Sequence, residues 1–181
     1  MERYSEVIGL PVICATDGSK IGTIKDVIFC PKEKSVIAFL LERKGCNIRK
    51  KVVLIENILS LGTDALIVND LSDINELRKV RDMSGFRNKG DVLGLRIYSR
   101  SGDDLGIVKD VLFDPKEGKI DGVEVSDGLL QDVIEGRSVL PFLGKVEFSN
   151  ENILVDNEAV EEMMGTGGGL KNIIEGKKSD I

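Results

Sequence analysis

The 181-residue chain has no histidine and no tryptophan, only 4% aromatic side chains, four prolines and three cysteines. Without histidine, the commonest general base is missing. Cys14, Cys30 and Cys46 all precede residue 47, and no Cys-x-x-Cys occurs, so neither a disulfide framework nor the usual zinc-ligand spacing is present. These thiols read as buried small apolar groups. The longest apolar run, Val36 to Leu41, falls far short of the ~20 residues of a membrane-crossing helix. The opening MERYSEVIGL lacks the basic, apolar and small-residue pattern of a secretory leader. The expectation is a cytoplasmic protein without a membrane span. With 41% hydrophobic and 31% charged residues, its core must be built from Val, Ile and Leu, which favours strands.

The most informative feature is a duplication. Gly18 to Glu33 reads GSKIGTIKDVIFCPKE and Gly102 to Glu117 reads GDDLGIVKDVLFDPKE. Upstream, Val7 to Val12 matches Val92 to Ile97; downstream, Leu66-Ile67-Val68 faces Ile153-Leu154-Val155. The repeat of about 85 residues exceeds the 20–50 of solenoid units. Each copy is therefore long enough to be a small domain with its own core.

Both copies begin with an apolar strand, Val7 to Cys14 and Asp91 to Ser99, then a turn rich in Asp, Gly and Ser. Gly in such a turn accepts the positive φ of a tight hairpin. Second strands follow over Ile21 to Phe29 and Leu105 to Phe113. Pro31 and Pro115 then set the first corner of a type I turn. Third strands return over Ser35 to Glu42 and Lys119 to Ser126, with shorter ones at Lys51 to Ile55, Ile58 to Leu61, Leu66 to Val68, Ser138 to Phe142, Lys145 to Phe148 and Ile153 to Val155. Short strands at this spacing indicate a small barrel or sandwich.

Asp73 and Glu76 have the spacing of a capping box, and Ile74, Leu77 and Val80 follow at helical intervals, which predicts a short connecting helix over about 73–81. The expected division is a first domain over 1–83, a second over 84–156, and an acidic helix with a Gly-rich flexible tail over 157–181.

These residues resemble the PRC-barrel family, which includes the photosynthetic reaction-centre H subunit and the C-terminal barrel of a ribosome-maturation factor. The shared pattern is Gly9 or Gly94 in the opening segment, the Asp/Gly/Ser turn, and Ile21-Gly22-x-x-x-Asp26-Val27 or Leu105-Gly106-x-x-x-Asp110-Val111. The resemblance covers residues 5–156 as two tandem copies. It implies an all-β protein of two tandem small β-barrels, a short connecting helix, and a short C-terminal helix or flexible tail. It also implies an adaptor that docks on larger assemblies, with no catalytic residues to carry over.

Asp26 and Asp110 occupy equivalent positions and would be the natural carboxylate pair of an enzyme. Duplicated turn chemistry accounts for them more simply. Gly165 to Asn172 lacks the Gly-Lys-Ser/Thr order of a phosphate-binding loop. The expectation is thus no enzyme, no cofactor and no metal.

Charge is distributed unevenly: residues 1–82 hold 13 Lys and Arg against 12 Asp and Glu, residues 83–181 hold 12 against 19. Arg43, Lys44, Arg49, Lys50 and Lys51 would place five cations on one hairpin of the first copy. They are the candidate partner-contact residues. The leading expectation is a protein partner of unknown identity. RNA or a ribosomal component is the alternative, disfavoured by a net charge of −6 and the shortage of stacking aromatics. Whether the chain pairs as a homodimer stays open.

Overall fold

The computed structural model describes residues 1–30, 32–42, 50–80, 87–88, 92–126 and 138–165. The first sheet contains β2 (Pro11–Cys14), β3 (Lys20–Cys30), β4 (Ser35–Glu42), β5 (Lys51–Leu54), β6 (Ile58–Leu61), β7 (Leu66–Val68) and β8 (Ile74–Glu76), preceded by β1 (Glu2–Arg3) and the helical turn α1 (Tyr4–Val7). Its strands run in the order β6-β7-β2-β3-β4-β5-β8, with β9 (Arg87–Asn88) also pairing with β3. The second copy supplies β10 (Arg96–Ser99), β11 (Asp104–Phe113), β12 (Ile120–Ser126), β13 (Ser138–Pro141), β14 (Val146–Phe148) and β15 (Asn152–Val155), in the order β13-β12-β11-β10-β15-β14. Helix α2 (Asn157–Gly165) follows. By contacts the chain forms two compact units, Met1–Gly90 with Phe113–Ile120, and Asp91–Leu112 with Asp121–Ile181.

The duplication extends to register. In the first copy β2 runs parallel to β7, with Val12 opposite Leu66; in the second β10 runs parallel to β15, with Ile97 opposite Ile153. The β2–β3 pair is irregular between Val12 and Ile13, and the β10–β11 pair between Ile97 and Tyr98. Gly9 and Gly94 take φ of +86° and +87°, a region glycine enters without a Cβ penalty. Each donates its amide across the sheet, Gly9 to the Ile24 carbonyl and Gly94 to that of Val108. This turn is why the opening strands begin at Pro11 and Arg96 and not at Val7 and Asp91 as the apolar run suggests.

The core is equivalent in the two copies. Val12, Ile24, Phe39 and Leu66 are buried, as are Ile97, Val108, Val123 and Ile153 in the corresponding places. In the first compact unit the Phe39 and Phe113 ring centroids lie 6.2 Å apart. There the Val36 amide donates to the Gly118 carbonyl at 2.6 Å and the Ile120 amide to the Lys34 carbonyl at 2.8 Å.

The helix expected over about 73–81 requires correction as far as Val80. A 3-10 turn at Leu71–Asp73 leads into the three-residue strand β8, and another 3-10 turn follows at Leu77–Lys79. Asp70, not Asp73, is the N-cap: its carboxylate accepts from the Ser72 amide, while the Asp73 carboxylate accepts from the amides of Asn69 and Asp70. β8 instead lies antiparallel to β5, with Lys51 opposite Glu76 and Val53 opposite Ile74. Leu77 and Val80, expected on a helical stripe, pack against a cluster of Ile28, Ala38, Leu40 and Val52. Closing the β5 edge and covering this cluster outweigh a local helical spacing that no intra-helix packing supports.

Candidate interaction surface

Of the five candidate cations, Arg43, Lys44 and Arg49 lie outside the described residues. Lys50 and Lys51 stand where β5 begins. Lys50 is exposed, and its carbonyl accepts from the Leu77 amide at 2.9 Å, which fixes the approach of the chain after β8. Lys51 is half-buried, and its Nζ lies 3.6 Å from Glu76 Oε1. Arg78 Nε donates to the other oxygen of Glu76 at 2.7 Å. Cross-strand register places Lys51 and Glu76 face to face, and the following 3-10 turn swings Arg78 back to the same carboxylate. The structure therefore brings Lys51 into an internal ion pair and leaves Lys50, Arg78 and Lys79 exposed.

Arg78 and Glu76 escaped the reading of the sequence because the expected helix hid their relation to Lys51. The alternation of β8 and its pairing with β5 are what reveal it. One half-buried carboxylate between two cations leaves this end of the sheet with positive charge facing water. Arg78 is the exposed member, and an ion pair reached from so exposed a side chain contributes little stability.

Asp26 and Asp110 serve the backbone. Asp26 Oδ1 accepts from the Val27 amide at 2.9 Å and from the Tyr4 hydroxyl at 3.3 Å. Asp110 Oδ1 accepts from the Val111 amide at 2.8 Å. Around Asp26 the β3–β4 register shifts between Ile24 and Asp26, and such a bulge withdraws amides from the ladder. A carboxylate beside it satisfies one of them, and Asp110 makes the equivalent bond to the next amide in the second copy. Lys25 turns outward and meets Glu42 at 3.9 Å.

In the second copy a polar network replaces one thiol of the first. Cys14 is buried, with its Sγ 3.7 Å from the Asn69 carbonyl. The corresponding Ser99, also buried, donates to Asp103 Oδ2 at 3.0 Å, and Ser101 donates to the same oxygen at 2.7 Å. These hydroxyls hold the Asp103 carboxyl below its usual range, Ser101 contributing most. Nearby, Arg100 bridges Glu147 and Asp156, and the Lys145 amide donates to Asp156 at 2.8 Å. The Lys145 amide, then the Arg100 guanidinium, keeps Asp156 below the ordinary carboxylate range. Glu147 is lowered by its bonds to Lys145 and then Arg100. This clamp ties β14 to the residue before α2.

Among the described residues, no three His, Cys, Asp or Glu side chains gather as a metal-holding group, and no helix is long and apolar enough to cross a membrane. No curated protein matches the chain. The PRC-barrel domain family matches residues 1–74 and again residues 86–161, which together cover most of the chain. With β2, β3 and β7 paired in the same senses and with the same register irregularity as β10, β11 and β15, this chain belongs to the PRC-barrel domain family as two tandem copies.

Proposed function

We propose that this protein is a non-enzymatic interaction module, an adaptor that docks on a larger assembly through a protein partner. The observation that carries the proposal is the contrast between what the two copies share and what they do not. The repeated polar residues Asp26 and Asp110 bond to their own backbone, and the repeated glycines make turns. The charged loops differ between the copies. Arg43, Lys44, Arg49 and Lys50, joined by Arg78 and Lys79, belong to the first, while the corresponding Ser126 to Asp132 of the second is acidic and apolar. Docking at a positive surface would draw an acidic partner by Coulomb attraction and speed encounter more than it deepens affinity. Residence in the cytoplasm and a division near residues 83 and 84 are part of the same proposal.

The test is capture by the immobilised full chain from a nuclease-treated native extract, compared with a Lys50→Glu/Arg78→Glu variant. Retention of a defined protein by the natural chain and its loss from the variant is the expected outcome. Identical capture by both would refute the assignment of this surface. The second reading, an accessory factor in RNA or ribosome metabolism, draws on the same exposed cations. Salt-dependent RNA retention that Lys50→Glu abolishes would replace the first reading with it.

A further inference from the structure

We propose that the β6 edge of the first sheet docks a basic amphipathic segment of a partner protein, with Leu59 as its apolar anchor. This adds a second surface, of opposite charge, to the module described above, and it does not depend on the cations beside β8. Among the described residues β6 and β8 are the two end strands of the first sheet.

The two copies differ at this edge. In the second, Val146, Glu147 and Phe148 of β14 stand opposite Val155, Leu154 and Ile153 of β15, one for one. In the first, Ile58, Ser60 and Leu61 of β6 stand opposite Val68, Ile67 and Leu66 of β7, and the register shift between Ile58 and Ser60 leaves Leu59 over. A bulge of this kind re-aims a side chain and spoils the edge as a template for a further strand. Docking here is therefore led by side chains. A lone exposed leucine needs no explanation, but this one is an inserted residue without a counterpart. Leu59 is 63% exposed and Leu71, on the 3-10 turn after β7, is 57% exposed, the two highest values for large apolar side chains among the described residues. The Asn57 side chain donates to the Asp73 carbonyl at 3.4 Å, which ties that turn to the start of β6. In the second copy Glu147 takes the place of Ser60 and pairs with Lys145 and Arg100, the charged edge expected of a strand that meets only water.

Charge selects the occupant. Between Val52 and Leu77 the chain has no Lys or Arg. Of the five carboxylates in that stretch, Glu76 is taken by Lys51 and Arg78. Glu56, Asp64, Asp70 and Asp73 form no ion pair among the described residues. Glu56 lies in the 3-10 turn before β6 and Asp64 in the turn after it, both exposed, so Leu59 stands between negative charges that no cation neutralises. Such a rim repels nucleic acid, an anionic membrane and the same face of a second copy, and it attracts Lys and Arg. An apolar anchor within an acidic rim fits a segment with an apolar face bordered by cations.

The probe is a synthetic peptide of Leu and Lys at helical amphipathic spacing, titrated into the isotopically labelled full chain and followed by amide chemical shifts. The expected shifts centre on Ile58–Leu61 and Leu71–Asp73 and spare β14 and β15. Leu59→Ser, at a site exposed enough to leave the fold intact, should weaken binding about ten-fold. Glu56→Lys/Asp64→Lys should do the same and flatten the dependence on salt. Lys50→Glu/Arg78→Glu should bind as the natural chain does, which separates this surface from the one proposed above. No binding, shifts centred elsewhere, or equal affinity in Leu59→Ser overturns the proposal. Shifts in β6 that grow with protein concentration without peptide, and vanish in Lys50→Glu/Arg78→Glu, also overturn it, assigning the edge to the β8 end of a second copy.

Discussion

Replacing Gly118 by Ala should destabilise the protein far more than replacing Gly18 by Ala, although both glycines have the same left-handed backbone. Their φ values are +72° and +70°. A non-glycine residue there costs about 1–2 kcal/mol. At Gly18 nothing lies within 4 Å of an added Cβ, so that is the whole local penalty. At Gly118 the new Cβ would stand 2.4 Å from the Val36 carbonyl oxygen and 3.3 Å from Ile55 Cγ1. Val36 belongs to β4 and donates its amide to Gly118, so its carbonyl cannot withdraw without disturbing that bond. Overpacking of this kind adds about 1–3 kcal/mol. The total for Gly118→Ala is then about 2–5 kcal/mol, a large share of a typical domain's stability. The gain from a stiffer unfolded chain is common to both substitutions and cancels in the comparison. Urea unfolding followed by far-ultraviolet circular dichroism suits a chain without tryptophan. Equal losses in the two variants would refute the packing of the Phe113–Ile120 turn against β4.

Three further outcomes are expected. Lys34 sits at φ +51° where the second copy has Gly118, so Lys34→Gly should raise the unfolding free energy by a net of about 0.5–1 kcal/mol, read as a higher urea midpoint, relief of the left-handed strain exceeding the added chain entropy. Phe39→Ala, which empties a fully buried site beside Phe113, should cost about 3–5 kcal/mol in the same assay. Asp103, Asp104, Glu147 and Asp156 all have lowered folded-state values, so the stability they supply is complete above the ordinary carboxylate pKa and is lost as pH falls through those lower values. The urea midpoint should therefore drop between pH 5 and pH 2, less steeply in Arg100→Met, where Lys145 still holds Asp156 and Glu147; a midpoint flat over that range would contradict it.

Much of the scaffold was legible because it depends on local rules applied twice. Strands Ser35–Glu42, Ile58–Leu61 and Leu66–Val68 have the bounds that alternation and turn residues predict. Asp26 and Asp110 were readable as backbone partners because duplication made them structural. The segment after residue 70 was not readable in this way. Its Ile74-Leu77-Val80 spacing fits a helix, but β5 offers an open edge and the Ile28 cluster an uncovered face, and neither appears in a local window. The basic surface was half legible for the same reason. Lys51 looked free by count, whereas strand pairing sets it against Glu76, and Arg78 was overlooked on a supposed helix.

The central claim is that one β unit was duplicated and that each copy keeps the same register. Long-range amide and methyl nuclear Overhauser effects measure this directly. The account predicts parallel cross-strand contacts of Val12 with Leu66 and, separately, of Ile97 with Ile153. Finding one set without the other, or an antiparallel pattern in either copy, would contradict it.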